Sequence, residues 1–159
     1  MIHTEIQIDA PPSVVRTAYH DLLLTGYTLD FAAIPTYHTA FLKKIVPQNT
    51  DRKGTPEPGD NLSCTVNTMT FSPVVEVNSP TEFAWRGTLG STVIFTGVHS
   101  FKFLAVGDSA EKTRFVHSED FGGAFSVVFG LIGQKNTKMG FEKFNEDFKR
   151  HVENKNRGS

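Results

Sequence analysis

Residues 93–122, VIFTGVHSFKFLAVGDSAEKTRFVHSEDFG, decide the fold. Two runs of β-branched and aromatic residues, 93–106 and 112–121, flank the turn-forming VGDSAEK, which makes them hairpin neighbours. Side chains of a strand alternate between its two faces. In the first run Phe95, Gly97, His99, Phe101 and Phe103 share one face, and Thr96, Val98, Ser100 and Lys102 share the other. Lys102 belongs in water and three phenylalanines do not, so the first set faces inward. The same test on the second run groups Phe115, His117, Glu119 and Phe121 opposite Arg114, Val116, Ser118 and Asp120. Paired as a hairpin, the two runs bring His99, His117 and Glu119 into one patch of the concave face.

Working outward, Ile2, Thr4, Ile6 and Ile8 alternate with His3, Glu5, Gln7 and Asp9, the pattern of a strand with one buried face. Pro11 and Pro12 end it, and Ser13 stands as the N-cap of a helix expected over about 14–23. LDFAAIP reads as a second short helix stopped by Pro35. A strand is expected over 41–46, a Gly-, Pro- and charge-rich loop over 47–60, and further strands over 61–69, 71–78 and 82–89. After Gly122 and Gly123 the period changes. Met139, Phe141, Phe144, Phe148 and Val152 fall on one face of a long terminal helix, with Lys143, Glu146, Asp147 and Arg150 on the other. The order predicts an α+β fold in which a strongly curved antiparallel sheet wraps the terminal helix and leaves a pocket between them. One domain is expected over 1–155, with a polar tail over 156–159.

Composition narrows the function classes. The 159 residues carry 16 basic and 17 acidic side chains, a formal charge of -1, which provides no general attraction to nucleic acid. A single cysteine, Cys64, excludes an intrachain disulfide or thiolate cluster and suits a reducing cytosol. The opening MIHTEIQIDAPP lacks the pattern of a secretory signal, and no apolar run approaches a membrane span, so a cytoplasmic location is expected. Fourteen phenylalanines supply bulk without donors or acceptors, enough both to fill a core and to line a cavity for a flat, greasy ligand.

Among the candidate residues, an imidazole pair and a carboxyl with apolar walls have perturbed proton affinities and can move a proton near neutral pH. That suits enolisation, aldol closure or dehydration, with His99, His117 and Glu119 as catalytic candidates. Each alone is more often a hydrogen-bonded structural residue. Two histidines and a carboxylate also match a metal-ligand set, but nothing else in the chain demands a metal, and none is expected. Phe83, Trp85, Phe95, Phe101, Phe115, Phe121 and Phe141 are the expected ligand-facing walls. Tyr37 and His38 stand at the entrance side, and Asn145 beside the helix stripe is a candidate polar contact. No GxGxxG, Walker, GxSxG or HExxH motif occurs, and no cofactor is expected.

IQIDAPPSVV at the start, FSPVVEV and EFAWRG in the middle, then FTGVHSFKF, TRFVHSEDFGG and GFEKFNEDFKRHVE together resemble the START/Bet v 1-like (SRPBCC) superfamily over residues 2–153, in particular its polyketide cyclase/dehydrase-type members. The resemblance implies a helix-grip: a seven-stranded antiparallel sheet on a C-terminal helix, two short helices after strand 1, and a hydrophobic cavity. It implies a small cofactor-independent enzyme for cyclisation, dehydration or isomerisation of an aromatic or polyketide-like molecule, or alternatively a non-catalytic carrier. The expected partner is a hydrophobic small molecule, with neither nucleic acid nor membrane insertion involved, and the expected state is monomer or homodimer. Where many relatives carry Trp-Asn after the second short helix, this chain has Tyr37 and His38.

Overall fold

The computed structural model describes residues 1–24, 38, 41–48, 55–108, 110–124, 126 and 134–157. Strand β1 (Ile2–Ile8) leads into helix α1 (Pro12–Leu24). Strands β2 (Leu42–Pro47), β3 (Leu62–Val66), β4 (Met69–Phe71), β5 (Val74–Asn78), β6 (Glu82–Leu89), β7 (Phe95–Val106) and β8 (Lys112–Gly122) follow, and helix α2 (Gln134–Arg157) closes the chain. All strand pairs are antiparallel. This is the α+β order that the periodicities predict, and it fits the helix-grip that the resemblance implies.

Four details differ from expectation. Among the described residues, eight strands form two sheets, β1-β8-β7-β6-β5 and β2-β3-β4, where one seven-stranded sheet was expected. The expected 61–69 strand stops at Val66 because Asn67 adopts a positive φ of 53°, a turn conformation that asparagine tolerates, and the chain folds back as β4. Helix α1 starts at Pro12, not after a Ser13 cap: Val15 N donates to Pro11 O at 3.0 Å, and proline at the first helical position sacrifices no hydrogen bond. Helix α2 continues through Asn156 and Arg157, two residues assigned to the polar tail. The second short helix expected over 29–35 lies outside the described residues.

Register sorts the inner face into rows running across the sheet. Gly87, Gly97 and Phe121 form one row; Trp85, His99, Glu119 and Ile2 the next; Phe83, Phe101, His117 and Thr4 a third; Phe103, Phe115 and Ile6 a fourth. The α2 stripe covers the last two rows and reaches His99 of the second: Phe141 stacks on His117 and packs on His99 at 5.0 Å, and Phe148 packs on Phe115 with ring centroids 5.0 Å apart. Phe141, Phe144, Phe148 and Val152 are buried as their spacing predicts, but Met139, expected on the same stripe, is 58% exposed. Asp147, placed on the polar face by spacing, is buried by its partner His38. Among the described residues, no helix is long and apolar enough to cross a membrane.

Candidate functional site

His99, His117 and Glu119 come together. His99 Nε2 and His117 Nε2 are 2.6 Å apart, and His99 Nδ1 lies 3.6 Å from Glu119 Oε2. The three differ in depth, which periodicity does not reveal. His117 is fully buried, sandwiched flat against Phe141 with centroids 3.7 Å apart and planes 5° from parallel. His99 is buried too, stacked on Trp85 at 4.5 Å. Only the Glu119 side chain, 15% exposed, approaches the open end of the trio.

Glycine makes that position possible. A Cβ at Gly97 would stand 2.7 Å from Glu119 Oε1, so any larger residue would displace the carboxyl from its seat on β7. Gly87, its cross-strand neighbour, is covered by the Phe71 ring from the smaller sheet. Phe71 also packs on Trp85 at 5.7 Å, and Phe95 on Phe121 at 5.7 Å. Phe71, Phe95, Phe121 and Val66 are all half-buried. The result is a carboxyl set among incompletely covered aromatic rings, beside the His99 ring on which Phe141 of α2 packs at 5.0 Å. Phe71 is a wall residue that sequence reasoning missed. A three-residue strand carries too little alternation to reveal its facing side.

Electrostatics follow burial. The His117 imidazole is held well below its ordinary value, first because burial disfavours the cation and next because His99 repels it; the hydrogen bond with Asn145 works in the opposite direction. Buried Cys64 on β3 has its thiol pushed up by burial and by the nearby Glu119 charge, so it is a packing residue and not a thiolate nucleophile. Among the described residues, Trp85 Nε1 is a buried donor without a hydrogen-bond partner.

The remaining predicted contacts separate into walls and structure. Phe83, Phe101 and Phe115 are completely buried core, each packed within a cluster of rings that includes Tyr19 or Phe148. Phe141 is the lid on His117. Asn145 is buried and bonds His117 Nδ1 at 3.1 Å. Tyr37 lies outside the described residues. No group of three or more His, Cys, Asp or Glu among the described residues is arranged to hold a metal ion. The facing Nε2 atoms of the two histidines are spent on each other.

His38 has both ring nitrogens engaged. Nδ1 lies 3.0 Å from Asp147 Oδ2, and Phe41 N donates to Nε2 at 2.9 Å, so the neutral ring carries its hydrogen on Nδ1. This buried clip ties the start of β2 to α2. Burial pushes the Asp147 carboxyl up, but hydrogen bonds from Lys143 and His38, together with the Lys143 charge, outweigh it and hold the group below its ordinary value. The unfolded chain therefore takes up a proton that the native state resists. The stabilisation is complete above the ordinary carboxylate range and fades as pH falls through the lower native value. Asp147→Asn is expected to lose stability less steeply below about pH 5 than the parent, in urea melts at stepped pH. Parallel pH profiles for the two chains would remove the carboxylate from this role.

No protein-family model and no curated protein matches the chain in sequence. Solved structures do match in fold. A START superfamily protein from Mycobacterium smegmatis superposes with a TM-score of 0.64 at 14% identity, covering 96% of this chain and 97% of the other. Norcoclaurine synthase of Thalictrum flavum superposes with 0.64 at 10% identity, covering 95% and 92%. The Zhui aromatase/cyclase of Streptomyces sp. R1128 gives 0.57 at 14% identity, covering 96% and 92%. At these identities the likeness establishes the fold and leaves the chemistry to the site.

Proposed function

We propose that this chain, which has the START/Bet v 1-like (SRPBCC) fold, is a small cofactor-independent enzyme. It binds a hydrophobic, aromatic or polyketide-like molecule and catalyses cyclisation, dehydration or isomerisation by acid-base chemistry. The observation that carries the reading is the Trp85–His99–Glu119 row, in which a carboxyl backed by a buried imidazole lies among half-buried phenylalanines. Glu119 is the group that meets substrate, giving or taking the proton. His99 behind it takes up or returns the balancing proton, and His117 supports His99. Phe71, Phe95, Phe121 and the Trp85 edge hold the substrate's apolar body, so that positioning contributes a large share of the rate. Two proteins of the same fold, an aromatase/cyclase and a norcoclaurine synthase, bear enzyme names, which favours catalysis over carriage.

The test is mass spectrometry of small molecules extracted from the native protein, before and after incubation with an extract of the source organism. The expected result is an apolar compound that the protein converts to a product differing by the loss of water or by isomerisation. A compound that is retained but never altered would replace the enzyme with a carrier.

A further inference from the structure

We infer that Asn145 and Thr4 are positioning residues that fix the direction of a hydrogen-bond chain running through both histidines, leaving His99 Nδ1 as the proton partner of Glu119. The inference deepens the reading of the Glu119 site and rests on it only for its consequence in turnover.

The chain is legible from its far end. Thr4 stands opposite His117 in the β1–β8 register, and its hydroxyl donates to the His117 carbonyl oxygen at 3.2 Å. With its hydrogen spent there, Thr4 Oγ1 can only accept from Asn145, whose Nδ2 lies 3.0 Å away. That orients the amide and turns Asn145 Oδ1 toward His117 Nδ1 at 3.1 Å. An amide oxygen accepts only, so His117 carries its hydrogen on Nδ1. A neutral imidazole has one such hydrogen, and complete burial keeps this ring neutral. His117 Nε2 is therefore a bare lone pair. Two bare nitrogens 2.6 Å apart would repel, so His99 Nε2 bears the hydrogen and donates.

One nitrogen remains. His99 Nδ1, facing Glu119 Oε2 at 3.6 Å, is open to take the carboxyl proton or return it. The exchange balances: a proton that Glu119 takes from substrate passes to His99 Nδ1 as the Glu119 O–H bond breaks and an N–H bond forms, and the reverse restores the pair. Other titratable groups whose electrostatics reach this line are His38, which opposes protonation of His117, and Cys64, whose thiol responds to Glu119. Both ring planes are clamped, by Trp85 and Phe141, so tautomer exchange and not ring rotation is the way the direction could change.

The experiment is long-range proton–nitrogen correlation NMR on the full chain labelled with nitrogen-15 histidine, at neutral pH and without ligand. His117 is expected to show a protonated Nδ1 and a lone-pair Nε2, with His99 protonated at Nε2. In Asn145→Leu the His117 hydrogen is expected to move to Nε2, with the His99 hydrogen moving to Nδ1 in step. Thr4→Val, which frees the amide to turn, is expected to give a mixture of the two patterns. A parent chain with His117 protonated at Nε2 overturns the inference even if neither variant folds, as does an unchanged pattern in folded Asn145→Leu. Because no turnover is read, the expected pattern in a protein that converts nothing would sink the enzyme reading and leave this one standing.

Discussion

Phe148→Ala is expected to lower the unfolding free energy by about 3–5 kcal/mol, the usual cost of removing a buried phenylalanine from a core that collapses only partly around the gap. Phe148 is completely buried and is the residue through which α2 grips both the sheet and α1. Its ring meets Phe115 of β8 at 5.0 Å, Phe144 one turn away at 6.0 Å, and Tyr19 of α1 at 6.0 Å edge-on. Truncation therefore opens a void where three elements meet. A domain of this size is stable by only about 5–15 kcal/mol, so the loss is a large fraction of the whole. At about 2–4 °C per kcal/mol the thermal midpoint should fall by roughly 10 °C. Met139→Ala on the same helix is the internal control. Its side chain is 58% exposed, and its effect should stay within about 0.5 kcal/mol. Equal losses for the two variants would mean that α2 is not held by its aromatic stripe.

Glu119→Gln is expected to reduce turnover more than about a hundredfold while leaving affinity for the apolar ligand nearly unchanged, because acid-base groups act on the barrier and not on the bulk of the contact area. The replacement is almost isosteric, so it keeps the close approach to Gly97 and removes only the group's capacity to exchange a proton. It is a cleaner probe than His99→Ala, which would also remove one face of the Trp85 stack and open a cavity in the core. Steady-state kinetics on whichever compound the extraction experiment identifies, paired with a direct binding titration, separates the two effects. Turnover within a few-fold of the parent would take Glu119 out of the chemistry. Weakened binding with no chemical change in either protein would make it the polar anchor of a carrier.

Alternation along 93–121 identified the facing side of every inner residue of β7 and β8, because a pleated strand leaves a side chain only two directions and Lys102 makes one of them untenable inside. The spacing of Phe141, Phe144, Phe148 and Val152 likewise marked the gripping face of α2. Both are local rules, and neither needs to know what lies opposite.

Depth, partnership and direction were a different matter. Nothing in the period separates the sealed His117 from the half-open Glu119 two residues later; that difference comes from where Phe141 ends its cover, 24 positions along the chain from His117. Asp147 has the spacing of a surface residue and is buried because His38, 109 positions away in sequence, comes to meet it. Asn145 has the spacing of a polar contact beside the helix stripe, and its amide is held by Thr4 from the other end of the chain. Period tells which way a side chain points. Only the packing of distant elements decides whether water, a ring or another polar group waits there, and that decision sets which protons can move.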